Sequence, residues 1–148
     1  MIVELVMIEK LLIAALFGGL VGVERQMHEK PAGLRTHVLV CTGATLFTIV
    51  SLSFAEWSAA IAAGVVTGIG FIAAGSIFKE RDNVKGLTTA ADLWVIAAIG
   101  LSIGIGYYVV AAFATAITLG ILLIGKSLDT YLDKRARVLG SKKRPPFI

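Results

Sequence analysis

IEKLLIAALFGGLVGVERQMHEKPAGLRTHVLVCTGATLFTIVSL, residues 8–52, holds two apolar runs on either side of a short basic loop. The first run, Ile8–Val23, reads as helix 1. The loop Glu24–Arg35 carries Arg25, Lys30 and Arg35, and Pro31 and Gly33 let the chain reverse. The second run, Thr36–Leu52, reads as helix 2. A membrane crossing needs about 20 mostly apolar residues, so this stretch predicts a pair of helices that cross a bilayer and return, with a basic turn between them.

The pattern repeats along the chain. Lys79, Arg81 and Lys85 form a second basic cluster, and Lys126, Lys134, Arg135, Arg137, Lys142, Lys143 and Arg144 form a third. Helix 3 is expected at about Ala59–Phe78, helix 4 at Leu87–Ile103 and helix 5 at Val109–Ile124. Glu56 and Trp57 lie in the connection before helix 3, and Tyr107 and Tyr108 follow a Gly104–Gly106 turn, where aromatic residues favour the membrane interface. With five crossings, 13 of the 14 Lys and Arg face one side and Lys10 alone faces the other, where its side chain can snorkel to the interface. The positive-inside rule then puts the N-terminus outside and the C-terminus inside the cytoplasmic (inner) membrane.

Composition agrees. The 148 residues are 57% hydrophobic and 16% charged, with a mean hydropathy of +0.86. A soluble domain carries about a quarter charged residues. The net charge of +4 is explained by anionic lipid, so no nucleic acid partner is expected. Cys41 is the one cysteine and reads as a packing residue. Glu4 and Glu9 replace the basic start of a secretory signal, so the first run reads as a retained helix. The expected fold class is an all-α integral membrane protein, a bundle of about five transmembrane helices. Residues 1–125 form the polytopic domain. Residues 126–148 form a basic cytoplasmic tail, amphipathic at Leu128, Tyr131 and Leu132 and disordered towards Lys142–Arg144.

GLRT (Gly33–Thr36) and GLTT (Gly86–Thr89) lie 53 positions apart, each closing a basic loop and opening a helix, with Gly22 and Gly75 at the same offset before them. Helices 1–2 and 3–4 are therefore read as parallel repeats about an axis along the membrane normal. Gly18 and Gly22, Gly64 and Gly68, and Gly100 and Gly104 are spaced by four, which lets helix backbones approach closely in lipid. Their expected use is packing within the protomer, and a homodimer through helix 1 or helix 3 is a second use. The G-x-G-x-x-A match at Gly68–Ala73 lies inside a span with no strand before it and is discounted.

Polar groups gather at the cytoplasmic helix ends: Glu24 and Arg25 on helix 1; Arg35, Thr36 and His37 on helix 2; Thr88, Thr89 and Asp92 on helix 4. Asp92 is the sharpest, because an ionisable residue within a span needs a partner or a wet cavity. One reading ties it to Arg35 or Arg25, with Arg35 favoured by the repeat. The other makes it a cation or proton site. His37 is read as a hydrogen-bonding bridge between helices. No His/Cys cluster has transition-metal spacing, and no nucleophile–base pair or Walker loop occurs, so neither a cofactor nor an enzyme is expected. Mg²⁺ keeps most of its waters and needs one or two carboxylates, so Asp92 with Glu24 are the candidate metal ligands.

Three stretches together resemble the MgtC/SapB family, specifically its N-terminal membrane domain: GLVGVERQMHEKPAGLRTHVLVCTGATLF (Gly19–Phe47), VVTGIGFIAAGSI (Val65–Ile77) and VKGLTTAADLWVIAAIG (Val84–Gly100). The resemblance covers roughly Ile8 to Ile124. It implies a cytoplasmic-membrane protein linked to magnesium limitation and, in pathogens, to survival inside host cells. Its members are often described as Mg²⁺ transporters. The best-studied look more like regulators of other membrane machines, including ATP synthase. Ala73 stands where the family often has Gly, and Ala60 and Gly64 where it often has Arg and Gln, which argues against a polar site in the outer half of helix 3. The soluble C-terminal domain of some members is not expected in this chain. The function expected is contact with, and regulation of, another membrane protein, with Mg²⁺ transport as the alternative.

Overall fold

The computed structural model describes residues 2–54, 58–80 and 83–138, with side chains as far as Gly125, Ser58 excepted. The expectations for Glu56, Trp57 and Arg81, and for the tail side chains from Lys126 onward, lie outside the described residues. Five helices follow one another: α1 (Ile2–Met27), α2 (Leu34–Ser51), α3 (Ser58–Ala74), α4 (Leu87–Ile105) and α5 (Tyr108–Val138). By length and composition α1, α2, α4 and Tyr108–Gly125 of α5 can each cross a membrane, while α3 is apolar but shorter, at 17 residues.

Large apolar side chains face outward all along these helices, among them Leu12, Leu16 and Leu20 on α1, Leu39 and Phe47 on α2, and Phe113, Ile117 and Ile121 on α5. A soluble monomer does not carry such a coat. Lipid explains it, and lipid also demands that backbone groups be satisfied within each segment, which helices achieve.

The interior is built on α4. Ile96, Ile99 and Ile103 are fully buried and pack with Ala14 and Val21 of α1, Cys41 of α2, and Ala111 and Leu122 of α5. Small residues set the approach. A Cβ placed on Gly18 would lie 2.7 Å from the His37 carbonyl oxygen, and one on Gly22 2.7 Å from Leu34 Cα, so α1 lies against the α2 backbone. A Cβ on Gly100 would lie 2.4 Å from the Cys41 carbonyl oxygen, and one on Gly104 2.4 Å from Thr48 Cβ, so α2 and α4 touch in the same way. Thr45 Oγ1 donates to its own helix at Cys41 (2.9 Å) and across to the Gly100 carbonyl (2.8 Å). His37 meets Asp92 and Thr45 meets Gly100 at the same 55-residue offset, so α2 and α4 run parallel. That is the direction expected of the second helix of each pair.

The structure departs from the sequence reading in several places. Gly64 and Gly68 of α3 meet nothing within 4 Å, and Gly75 lies beyond the end of α3, so the glycine part of the repeat is not repeated in packing. The Gly18/Gly22 face is buried inside the protomer and is not available to a second copy. The second polar loop contains two short antiparallel strands, β1 (Phe78–Glu80) and β2 (Asn83–Lys85), with Lys79 opposite Val84. The helix 3 expected to reach Phe78 stops at Ala74, because Gly75, Ser76 and Ile77 turn the chain into the hairpin. α5 continues as helix to Val138, into the expected tail.

Two helix ends explain the boundaries. α1 runs past Val23 to Met27 and closes with Glu29 in the left-handed region (φ 52°). There the Lys30 N–H reaches the Arg25 carbonyl (3.1 Å) and the Glu29 N–H the Gln26 carbonyl (3.0 Å). α4 closes the same way at Gly106 (φ 104°), with the Tyr107 N–H on the Ser102 carbonyl at 2.8 Å. Lys10 does not snorkel outward. Its ammonium donates to the Gly104 carbonyl at 2.7 Å, at the C-terminal end of α4 where orphan carbonyls favour a cation.

Candidate functional site

Three helix ends meet at the pole opposite Lys10. The last two turns of α1 bring Glu24 and Arg25, the first turn of α2 brings His37, and the second turn of α4 brings Asp92. The close α1–α2 and α2–α4 contacts through Gly18, Gly22, Gly100 and Gly104 hold these ends together. All four side chains are buried: Arg25, Glu24, Asp92 and His37 retain 5%, 8%, 2% and 0% of their side-chain surface.

Arg25 is the hub. Its Nε donates to Glu24 Oε2, and its Nη1 lies 3.7 Å from Asp92 Oδ2. His37 Nε2 lies 3.2 Å from Asp92 Oδ1, while its Nδ1 lies 2.9 Å from the Gly33 carbonyl oxygen. Both partners are acceptors. The Nδ1 contact requires a proton on Nδ1, and Nε2 faces the Asp92 carboxylate. His28 closes the site from the loop. Its Nδ1 lies 2.8 Å from the Glu24 carbonyl oxygen and 3.0 Å from Glu24 Oε1, with hydrogen-bond geometry met only at the carbonyl.

Two carboxylate oxygens, Glu24 Oε1 and Asp92 Oδ2, are buried without a hydrogen-bond partner. Both belong to carboxylates already ion-paired, Oε1 lying 3.0 Å from His28 Nδ1 and Oδ2 3.7 Å from Arg25 Nη1, but a buried acceptor without a hydrogen bond is costly, so these atoms are places where a proton or cation gains most. Among the described residues no three His, Cys, Asp or Glu side chains converge as a metal site. Glu24 and Asp92 offer two carboxylates, enough for a hydrated Mg²⁺, but Arg25 already touches both.

The remaining expected residues divide. Arg35 is exposed and makes no ion pair with Asp92, which corrects the pairing favoured by the repeat. Thr36 is half-buried and Thr88 is exposed, both outside the cluster. Thr89 is buried but bonds to none of the four; it lines a separate cavity beside them. The sequence reading missed His28. Its signal was the four-residue spacing from Glu24, which puts the two on one helix face.

Among the described residues the core carries no comparable charge elsewhere. Among the described residues the other buried polar side chains are hydroxyls, and Thr45, Thr48, Ser51, Ser76, Thr115 and Thr118 each donate to a backbone carbonyl of the preceding turn.

The family model described as MgtC family matches residues 11–131. The chain is 49% identical over 123 residues to the protein of Escherichia coli (strain K12) named "Putative magnesium transporter YhiD", covering 76% of this chain and 57% of that protein. It is 49% identical over 110 residues to Protein MgtC of Salmonella typhimurium (strain LT2), covering 74% and 48%. It is 43% identical over 130 residues to Protein MgtC of Brucella abortus (strain 2308), covering 86% and 55%. The chain thus spans about half the length of the curated relatives it matches. No solved structure matches it.

Proposed function

The chain belongs to the MgtC family, and from that premise we propose that it serves adaptation to low magnesium by contacting and regulating another protein of the cytoplasmic membrane. The Glu24–Arg25–His37–Asp92 cluster is its functional centre, the N-terminus is outside and the C-terminus inside. The observation that carries this reading is the distribution of buried charge. The cluster sits at one pole of the bundle, and along the described core beyond it the buried polar groups are hydroxyls already bonded to their own helices. A path for a divalent cation needs polar groups spaced through the membrane, since stripping water from the ion is expensive. A single closed cluster suits a two-state element that changes how the helix ends pack, and so what they present to a neighbour.

A second contact surface fits this role. Leu39, Gly43 and Phe47 of α2 and Gly64, Gly68 and Ile72 of α3 line an apolar groove of about 530 Å³. With the α1 glycines engaged inside the protomer, α3 is the face left for a second copy of the chain or for a partner helix.

The second reading, Mg²⁺ transport, draws on the two orphaned carboxylate oxygens and on the name of the E. coli relative. Reconstitution separates the two. Purified protein in liposomes loaded with a Mg²⁺ indicator is expected to give no flux above empty liposomes, while the same gene restores growth of a deletion strain in low Mg²⁺. Flux that is abolished by Asp92→Asn overturns the regulatory reading and installs transport.

A further inference from the structure

The N-terminus of α4 opens into a cavity of about 420 Å³ that the ionic cluster does not use. The α1–α2 loop contributes Glu29 and Lys30 to its wall, the hairpin contributes Phe78 and Lys85, and α4 contributes Thr88 and Thr89. Gly86 caps the helix in the left-handed region (φ 86°), where no side chain fits: a Cβ there would lie 1.9 Å from the Ser76 carbonyl oxygen. A glycine cap supplies no side-chain acceptor. The first intrahelical bond runs from Ala90 N–H to the Gly86 carbonyl at 2.8 Å, which leaves the Leu87, Thr88 and Thr89 amides without acceptors. α2 solves the same problem internally, with Gln26 Oε1 accepting from the Leu34 N–H at 3.2 Å.

A second observation points to a ligand. Thr89 is only 1% exposed and lines this cavity, and among the described residues no hydrogen bond is found for its hydroxyl. The buried hydroxyls of the core are satisfied by their own helices, so a buried threonine with a free hydroxyl beside three free amides is a set of donors lacking an acceptor. Charge agrees. Lys30 and Lys85 stand on the rim with the positive end of the α4 dipole, against the carboxylate of Glu29 in the lining and that of Glu80 on Lys85. Lys85 is paired with Glu80, but both are well exposed, at 44% and 59%, so an incoming anion displaces that contact at little cost.

We propose that this cavity binds a phosphate group, cradled by the first-turn amides of α4 and the hydroxyls of Thr88 and Thr89, with Lys30 and Lys85 supplying charge. Amides at a helix start together with hydroxyls and ammonium groups are a phosphate-binding set. The phosphate can come from an anionic phospholipid headgroup, since the cavity lies at the basic pole of the bundle, or from free phosphate. The site is independent of the regulatory reading.

The test uses the full chain in phosphatidylcholine nanodiscs. Phosphatidylglycerol is titrated into one series and inorganic phosphate into another, and binding is read by native mass spectrometry and by the rise of the thermal midpoint. Phosphatidylglycerol is expected to bind. Thr89→Val and Lys85→Gln should each weaken it about tenfold, the loss of one hydrogen bond to a charged group. Thr89→Ser, which keeps the hydroxyl, and Lys79→Gln, which removes an exposed charge outside the cavity, should stay within about twofold. Binding of phosphatidylglycerol alone assigns the site to lipid, and binding of inorganic phosphate with the same variant pattern assigns it to the free anion. Binding of neither overturns the proposal. So does an equal loss in Lys79→Gln and Lys85→Gln, the mark of general surface attraction. Should Thr89→Val fail to fold, the exposed Lys85→Gln still decides.

Discussion

Arg25→Leu is the substitution that tests the cluster hardest. Among the described residues Arg25 is the only guanidinium that touches Glu24 and Asp92, which keep 8% and 2% of their side-chain surface. Removing it leaves two buried carboxylates with His37, the half-buried His28 and the charge of Lys30 nearby. Breaking a buried ion pair by deleting one partner costs about 3–5 kcal/mol. That is about a fifth or more of the roughly 5–15 kcal/mol that holds an ordinary domain together. Adding Glu24→Gln and Asp92→Asn removes the stranded charges and should return stability to within about 1 kcal/mol of the parent. Arg35→Leu, at an exposed position, should change stability by less than about 0.5 kcal/mol. The assay is reversible unfolding in mixed micelles, followed by circular dichroism, with growth in low Mg²⁺ scored in parallel. The electrostatic account fails if Arg25→Leu and Arg35→Leu cost the same, or if neutralising the two carboxylates does not rescue. The functional account expects the triple variant to fold and insert yet not support growth; full growth would leave the cluster purely structural.

The glycines give a sharper contrast. Gly100→Leu and Gly22→Leu must push apart helices whose backbones stand where the new Cβ would go, costing more than about 2 kcal/mol in the same unfolding assay. Gly68→Leu should leave protomer stability unchanged and instead reduce crosslinked dimer in native membranes; a monomer-only result in the parent would remove α3 as an interface. Lys10→Met should destabilise by about 1–2 kcal/mol by stripping a charged donor from the Gly104 carbonyl, measured against Lys79→Met as an exposed control. For orientation, single cysteines at Ser53 and Asn83, in a Cys41→Ala background, should label from opposite sides of sealed vesicles. Labelling from the same side refutes the proposed crossings.

Much of the fold was legible because lipid leaves few solutions. Apolar runs separated by basic clusters specify crossing helices whatever their packing, and five helices follow in the expected order. Helix ends were less legible. α1 gained a turn at its C-terminal end because Glu29 adopts a left-handed cap that sequence assigns to glycine, and the Lys79–Gly86 loop became a hairpin because pairing there depends on a register that a short polar stretch does not announce.

The site shows how far helix phase could have carried the sequence reading. Each residue turns an α-helix by about 100°, so positions spaced by three or four share a face. On α1 the buried positions Ala14, Gly18, Val21 and Gly22 continue in that spacing to Arg25. On α2 the face of Cys41, Ala44, Thr45 and Thr48 leads back to His37, and Arg35, two residues away, falls about 200° around the helix, with Leu39 on the outer side. On α4 the face of Ile96, Ile99, Gly100 and Ile103 leads back to Asp92 and Thr89. The buried face of each helix, followed to the end that carries the cluster, thus selects Arg25, His37 and Asp92 and excludes Arg35. The repeat pointed elsewhere because it compares positions along the chain, whereas buried charges are paired by which faces touch. What phase cannot supply is the partition of Thr89 from Asp92. Both sit on the inner face one turn apart, yet Asp92 meets Arg25 and His37 while Thr89 meets the cavity beneath the hairpin. Phe78 and Lys85 of the two strands line the cavity together with Thr89, and Asp92 is not among its lining residues, so the ionic cluster and the α4 N-terminal donors are distinct places on one helix face.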